Sequence, residues 1–249
     1  MTQRIVLVTG GGSGIGRAIA VWFAGLGDDV VVCGRTEGAL EATGAEAPGK
    51  IRCVRCDVTN EADVARLFQD VGPLDVLVNN AGAASSAPLH KETLDQWQAL
   101  FAVNATGAFL CTRAALATMR TRGSGRIVTV ASTAGLRGYR YTAAYSASKH
   151  AAIGLMRAAA AECAGTAITV NAVCPSFVRT PMTDRTIANI VAKTGRSEDE
   201  ARADLERASS LGRLVEPEEV AEAVAYLASD GAAAIHGQSL ILDGGDLQS

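Results

Sequence analysis

The chain has 249 residues, 48% of them hydrophobic but only 4% aromatic, and carries a formal charge of −3 at pH 7. A core drawn mostly from Val, Ile, Leu and Ala suits parallel strands buried on both faces beneath Ala-rich helices, and the length fits one doubly wound α/β domain. The acidic balance excludes nucleic acid as the main partner, because neutralising phosphates requires a basic surface. No stretch approaches the ~18 uninterrupted apolar residues of a spanning helix, and the first apolar run is too short for a secretion signal. The expected setting is therefore cytoplasmic, with no membrane partner.

Short β-branched runs predict strands over residues 5–9, 30–33, 51–56, 76–79, 126–131, 168–174 and 239–242. Apolar residues at helical spacing predict helices over 15–26, 61–71, 97–119, 143–163 and 218–228. Such alternation predicts a seven-stranded parallel sheet with helices on both faces, and no linker divides residues 1–249 into more than a single domain. Cys53 and Cys56 form a C-x-x-C pair, which in other settings signals redox or zinc chemistry. On a strand, residues three apart point to opposite faces, and no second Cys or His pair stands nearby, so no metal is expected. From Pro181 to Gly212 the chain turns polar, with a thin apolar stripe of Ile187, Ile190, Val191 and Leu205. An insert of this length is read as a substrate lid, with a solvated pair of surface helices as the alternative.

The first predicted strand runs into a glycine cluster whose spacing departs from G-x-G-x-x-G, since Arg17 stands at the last glycine position. Glycines between a strand and a helix let the backbone approach a pyrophosphate held at the helix N-terminus. Further along, Asn79, Asn80, Ala81 and Gly82 end the fourth strand and Ser132 follows the fifth. Tyr145 and Lys149 come thirteen and seventeen residues after that serine, and Pro175, Val178, Thr180 and Pro181 follow the sixth strand. With Thr9, Gly10, Gly14 and Gly16, these motifs resemble those of the short-chain dehydrogenase/reductase family, in register from Ile5 to the Asp243, Gly244, Gly245 end. Ser176 replaces the glycine usual after the proline.

The resemblance implies a Rossmann fold and an NAD(P)-dependent alcohol dehydrogenase or ketoreductase. It implies a cofactor site formed by Gly10, Gly12, Ser13, Gly14, Ile15 and Gly16, with Asp57 and Val58 at the adenine and Asn80 beneath the ribose. It further implies that Val178 and Thr180 meet the carboxamide, that Lys149 holds the nicotinamide ribose, and that Asn104 supports a water relay to Lys149. Elementary chemistry independently favours the central residues. Ser132 lies just past the carboxyl end of a parallel strand, where open α/β sheets place ligands, and Tyr145 and Lys149 share one helix face at i and i+4. A phenol of pKa about 10 is a poor base at neutral pH, and a nearby ammonium is expected to lower it. Tyr145 then serves as the acid/base group, with Ser132 hydrogen-bonding the reacting oxygen.

The second strand ends at Gly34 and Arg35, without the acidic residue that NAD-preferring sites place there. Arg35 suits a 2′-phosphate, which favours NADP(H), while NAD(H) stays open. Arg137, Gly138, Tyr139, Arg140 and Tyr141 lie between Ser132 and Tyr145. Within the family the chain looks most similar to the 3-oxoacyl thioester reductases and polyketide ketoreductases, which implies reduction of a 3-oxoacyl thioester or related β-keto compound. Two cations and two aromatics in this loop, which could meet a CoA or carrier-protein thioester, and the long lid lean the same way. The alternatives are a cyclic or small secondary alcohol or sugar oxidised with NAD and, more distantly, a nucleotide sensor without catalysis. A methyltransferase has no use for Tyr145 and Lys149 at helical spacing. The apolar C-terminal stretches 220–228 and 237–242 are expected either in the core or at a homotetramer interface.

Overall fold

The computed structural model describes residues 3–207 and 209–247, so Ala208, within the expected lid, lies outside the described residues. Strand β1 (Ile5–Thr9) shows how the sheet is organised. Its side chains alternate, so Leu7 enters one hydrophobic layer while Val6 and Val8 enter the other. Strands β2 (Asp29–Gly34), β3 (Ile51–Arg55), β4 (Val76–Asn79), β5 (Ser124–Val130), β6 (Ala167–Pro175) and β7 (Ser239–Leu242) complete one parallel sheet in the order β3-β2-β1-β4-β5-β6-β7. This is the expected Rossmann arrangement. Order reverses between β1 and β4, and ligands of such sheets bind at the carboxyl ends of the strands beside that reversal.

Helices α1 (Gly14–Gly25) and α9 (Pro217–Leu227) pack together on one face. Their Ile19, Phe23, Val220 and Val224 are fully buried against Val6, Val8, Val30 and Val32. Helices α3 (Glu61–Val71), α5 (Gly107–Arg122) and α6 (Ala143–Cys163) cover the other face through Leu67, Met119 and Met156. Each side chain of this size withdrawn from water stabilises the fold by roughly 1.5–3 kcal/mol. Cys53 packs towards the α1 layer and Cys56 towards the α3 layer, on opposite faces as their spacing requires, and all six cysteines are free.

Two elements differ from the sequence reading. Helix α2 (Glu37–Gly44) falls outside the predicted elements, because its eight residues carry few apolar positions and bury only Leu40 and Thr43. The expected helix 97–119 is longer and not uniform. Helix α4 (Leu94–Phe101) passes through a π turn, Ala102–Thr106, into α5. This helical stretch is long and apolar enough to cross a membrane by composition, yet much of it is buried inside the protein. The polar insert forms α7 (Pro181–Thr194) and α8 (Glu198–Arg207). Its apolar stripe closes on itself, with Ile187, Ala201, Leu205 and Leu214 in a small core of their own and Ile190 and Val191 packed against it. In the 220–228 stretch, Val220, Ala221, Val224, Leu227 and Ala228 lie in the core, leaving Tyr226 half exposed.

Candidate active site

The glycine loop between β1 and α1 is held by backbone contacts too close for side chains. The Gly10 and Gly11 N–H groups both donate to the Cys33 carbonyl, at 2.7 and 3.2 Å. Gly10 has φ +65°, and a Cβ there would lie 2.8 Å from the Ala81 Cα. A Cβ on Gly16 would lie 2.3 Å from the Gly10 carbonyl oxygen. Only glycine permits this fit. Asn80 ties the neighbouring strand end to the loop, its Nδ2 donating to the carbonyls of Thr9 (2.9 Å) and Gly10 (3.2 Å). Arg17, where the common fingerprint has glycine, instead braces the loop by donating to the Gly12 carbonyl and the Thr43 hydroxyl. That bracing role of Arg17 was not legible in the sequence, because Thr43 belongs to α2, which the apolar pattern does not announce.

The cradle fits a dinucleotide pyrophosphate. Ser13 stands at the N-cap of α1 without making a side-chain cap bond, and the first turn contains no acidic residue. The first-turn N–H groups of Gly14, Ile15 and Gly16 therefore face outwards, with the positive end of the helix dipole behind them. Gly12 lines the same loop, where a Cβ would press on Ala39 at 3.1 Å.

At the adenosine end, Arg35 is exposed and pairs with no carboxylate among the described residues. Asp57 follows β3, and its Oδ1 accepts from the Thr59 N–H (3.0 Å) and hydroxyl (2.8 Å). The Thr59 backbone bond is the main cause of its lowered pKa, with the Arg35 charge assisting. Val58 is buried and packs against Gly107, where a Cβ would lie 2.8 Å from its Cγ2.

The structure brings Ser132, Tyr145, Lys149 and Asn104 together. Ser132 lies just beyond β5 and starts a 3₁₀ turn, Thr133–Gly135, its hydroxyl accepting the Ala134 N–H at 3.1 Å. Tyr145 and Lys149 project from the first turns of α6. The Lys149 Nζ donates to the Val130 carbonyl at 3.0 Å and lies 6.0 Å from the centroid of the Tyr145 ring. Burial lowers the lysine pKa to about 8, with the Cys174 thiol opposing weakly. Burial also raises the pKa of Tyr145, and the neighbouring Ser132 hydroxyl offsets this in part. The expected lowering of the phenol by the lysine is therefore corrected: the ammonium faces a carbonyl rather than the hydroxyl, and desolvation dominates.

Asn104 explains the π turn. Its Nδ2 donates to the Ala83 carbonyl and the Ser148 hydroxyl, both at 2.9 Å, and its Oδ1 accepts the Ala83 N–H at 2.9 Å. These bonds hold the loop after β4 against a widened helical turn, the kind of irregularity that marks functional sites. A Cβ on Gly82 would lie 3.1 Å from the Asn104 Oδ1 and 3.5 Å from the Lys149 Nζ, so both side chains converge on that glycine. Among the described residues the Asn104 side chain hydrogen-bonds Ala83 and Ser148, with no direct bond to Lys149.

Thr180 caps α7 and presses its Cγ2 on Gly14, linking the polar insert to the glycine loop. The Val178 side chain is buried in the α1-side core. Its bridge to Val215 uses the Arg179 N–H and the Phe177 carbonyl, which leaves the Val178 N–H out of the pairing. The Ser176 hydroxyl is buried without a hydrogen-bond partner. Arg137, expected as a free cation at the mouth, is paired with Asp246 and lies over the Tyr139 ring. Arg140 remains exposed and forms no ion pair among the described residues.

Residues 4–190 match the family model for short chain dehydrogenases. The chain is 42% identical to a monensin polyketide synthase putative ketoacyl reductase of Streptomyces virginiae, over 98% of this chain and 97% of that protein. It is 40% identical to a cis-4-hydroxycyclohexanecarboxylate dehydrogenase of Sinomonas cyclohexanicum, over 98% and 96%. A crystal structure of a single-substitution variant of actinorhodin polyketide ketoreductase with NADPH superposes with TM-score 0.92 at 41% identity, covering 98% of this chain and 97% of that one. The chain thus belongs to the short chain dehydrogenase family, as an NAD(P)-dependent oxidoreductase that interconverts ketones and secondary alcohols.

Proposed function

We propose that the protein is an NADP(H)-dependent reductase of a 3-oxoacyl thioester or a related bulky β-keto compound. The observation that carries the chemistry is the convergence of Ser132 just beyond β5 with Tyr145 and Lys149 from the first turns of α6, the Lys149 Nζ 6.0 Å from the Tyr145 ring centroid, beside the glycine cradle. A nicotinamide bound there supplies the hydride. Tyr145, protonated across the neutral range because burial raises its pKa, donates its proton to the carbonyl oxygen as charge develops on it. Ser132 hydrogen-bonds the same oxygen. Lys149, its pKa lowered by burial to about 8, would hold the ribose beside Tyr145. Asn104 keeps the loop after β4 and the lysine in register and supports the water that feeds it. Gly10, Gly12, Ser13, Gly14, Ile15 and Gly16 cradle the pyrophosphate. Asp57 and Val58 border the adenine, Asn80 braces the ribose floor, and Thr180 with the Val178 N–H receives the carboxamide.

Two observations favour NADP(H). Arg35 has no carboxylate partner among the described residues, and the β2–β3 register sets Arg55 beside Gly34, adding a second exposed cation. The solved ketoreductase with NADPH supports the same choice. The thioester reading draws on the polyketide ketoacyl reductase relative, on the exposed Arg140, and on 181–212 acting as a lid that begins at Thr180 beside the cradle. The cyclohexanecarboxylate dehydrogenase relative favours the second reading, a cyclic alcohol substrate. We further infer that the single-domain chain is cytoplasmic and assembles as a homotetramer. Free cysteines accord with a reducing compartment, and half-buried β7 with exposed Leu94, Phe109 and Tyr226 supports assembly.

The test is a panel of acetoacetyl-CoA, ethyl acetoacetate and cyclohexanone with NADPH and with NADH. The expected outcome is the highest kcat/KM for the thioester with NADPH, a cofactor preference that shrinks at least about tenfold in Arg35→Ala, and a raised thioester KM in Arg140→Ala. Cyclohexanone outperforming the thioester, or NADH outperforming NADPH, overturns the corresponding half.

A further inference from the structure

The loop between Ser132 and α6 is anchored from the far end of the chain. After β7 the backbone turns back through Gly244 (φ +72°) and Gly245 (φ +89°). The nearly buried Asp243 carboxylate receives the N–H groups of Gly245 and Leu247, each at 2.8 Å. That turn presents Asp246 to the Arg137 guanidinium, and the two form an ion pair and hydrogen bond with both side chains partly shielded. The guanidinium lies 4.7 Å from the centroid of the Tyr139 ring. The Tyr139 hydroxyl in turn donates to the Thr133 hydroxyl at 2.9 Å. Thr133 is buried and directly follows Ser132. At its other end the same loop holds Tyr141 at φ +67°, a left-handed conformation unusual for an aromatic side chain, and the Ala87 N–H donates to the Tyr141 carbonyl at 2.9 Å. Such backbone persists only where surrounding contacts over-determine it.

The geometry points to Asp246 as a positioning residue for the substrate loop. Through Arg137 and Tyr139 it sets the wall of the site beside Ser132, so a carboxylate near the chain's end governs ketone binding without touching the reacting atoms. Its effect belongs in KM for the ketone, whereas the glycine cradle between β1 and α1 shares none of these contacts, so cofactor Kd is expected to stay unchanged.

Three variants test this: Asp246→Asn, Asp246→Glu and Arg137→Gln. Each is assayed with the ketone that the wild type reduces best, for KM, kcat and cofactor Kd, and for the rate of tryptic cleavage after Arg140. Asp246→Asn and Arg137→Gln are both expected to raise the ketone KM about five- to tenfold, with kcat and cofactor Kd within about twofold of wild type. Cleavage after Arg140 should speed up by a similar factor in both, and Asp246→Glu should restore wild-type behaviour. An unchanged KM, a cofactor Kd that rises with KM, or a glutamate variant no better than the asparagine one overturns the assignment. The unchanged cofactor Kd certifies folding in each variant. Cleavage requires no substrate, so a wrong choice of thioester would leave that arm standing.

Discussion

The two sides of the ligand edge are built by opposite means. On the cofactor side, segments meet backbone to backbone: a single added methyl group on Gly10 or Gly16 would lie less than 3 Å from another main chain. On the side proposed to receive substrate, the walls are joined by side-chain contacts between residues far apart in sequence, such as Arg137 with Asp246 and the Lys193 ammonium with the Ser86 main-chain carbonyl at 3.1 Å. Backbone packing of the first kind tolerates no change, because nothing nearby can rotate away. Pairs of the second kind are partly exposed and individually weak, so they can be exchanged without loss of the fold. On the reading proposed above, a cofactor common to many reactions belongs to the unyielding half and substrate choice to the adjustable one.

The sharpest way to break this comparison lies at the boundary between the halves. Tyr145→Phe removes only a hydroxyl, and it is expected to lower kcat by about 10²- to 10⁴-fold with cofactor Kd unchanged in a fluorescence titration. More than about a tenth of wild-type activity would remove the tyrosine from the chemistry. Next in size, Gly16→Ala is expected to weaken cofactor binding and destabilise the fold by about 2 kcal/mol or more, read by urea denaturation. A near-neutral effect would show that the cradle yields more easily than its backbone contacts imply.

A smaller effect tests the electrostatics of the buried lysine. The Lys149 pKa falls from the ordinary 10.5 to about 8 in the folded protein. Between these values the unfolded chain binds the proton more strongly, so folding stability rises with pH there. Below about pH 8 the penalty of burying the ammonium is fully present. The wild type is therefore expected to gain on Lys149→Met as pH climbs from about 8 towards 10.5, followed as the difference in Tm. A pH-independent difference would show that the ammonium is not penalised, and would shift the task of charge management at the site to other groups.

Much of the molecule was legible before its structure. Alternating β-branched and Ala-rich runs dictate a parallel sheet, because each strand must bury both faces. The glycines from Gly10 to Gly16, Ser132 after β5, and the i,i+4 spacing of Tyr145 and Lys149 together carry the family resemblance from which the reaction class was expected. Other features depend on partners that local pattern cannot choose. Helix α2 carries too few apolar residues to announce itself, and Arg17 becomes a loop brace only because α2 brings Thr43 to it. The π turn at Asn104 exists because Ala83 and Ser148 offer it hydrogen bonds. Arg137 reads as a free cation until the chain returns, 109 positions later, with Asp246. Tyr145 reads as a phenol tuned by lysine until burial is known, and burial reverses the direction of the shift. Periodicity, glycine placement and short-range spacing are properties of the chain itself. Desolvation and long-range pairing arise only when distant segments share a volume, and these the tertiary structure alone decided.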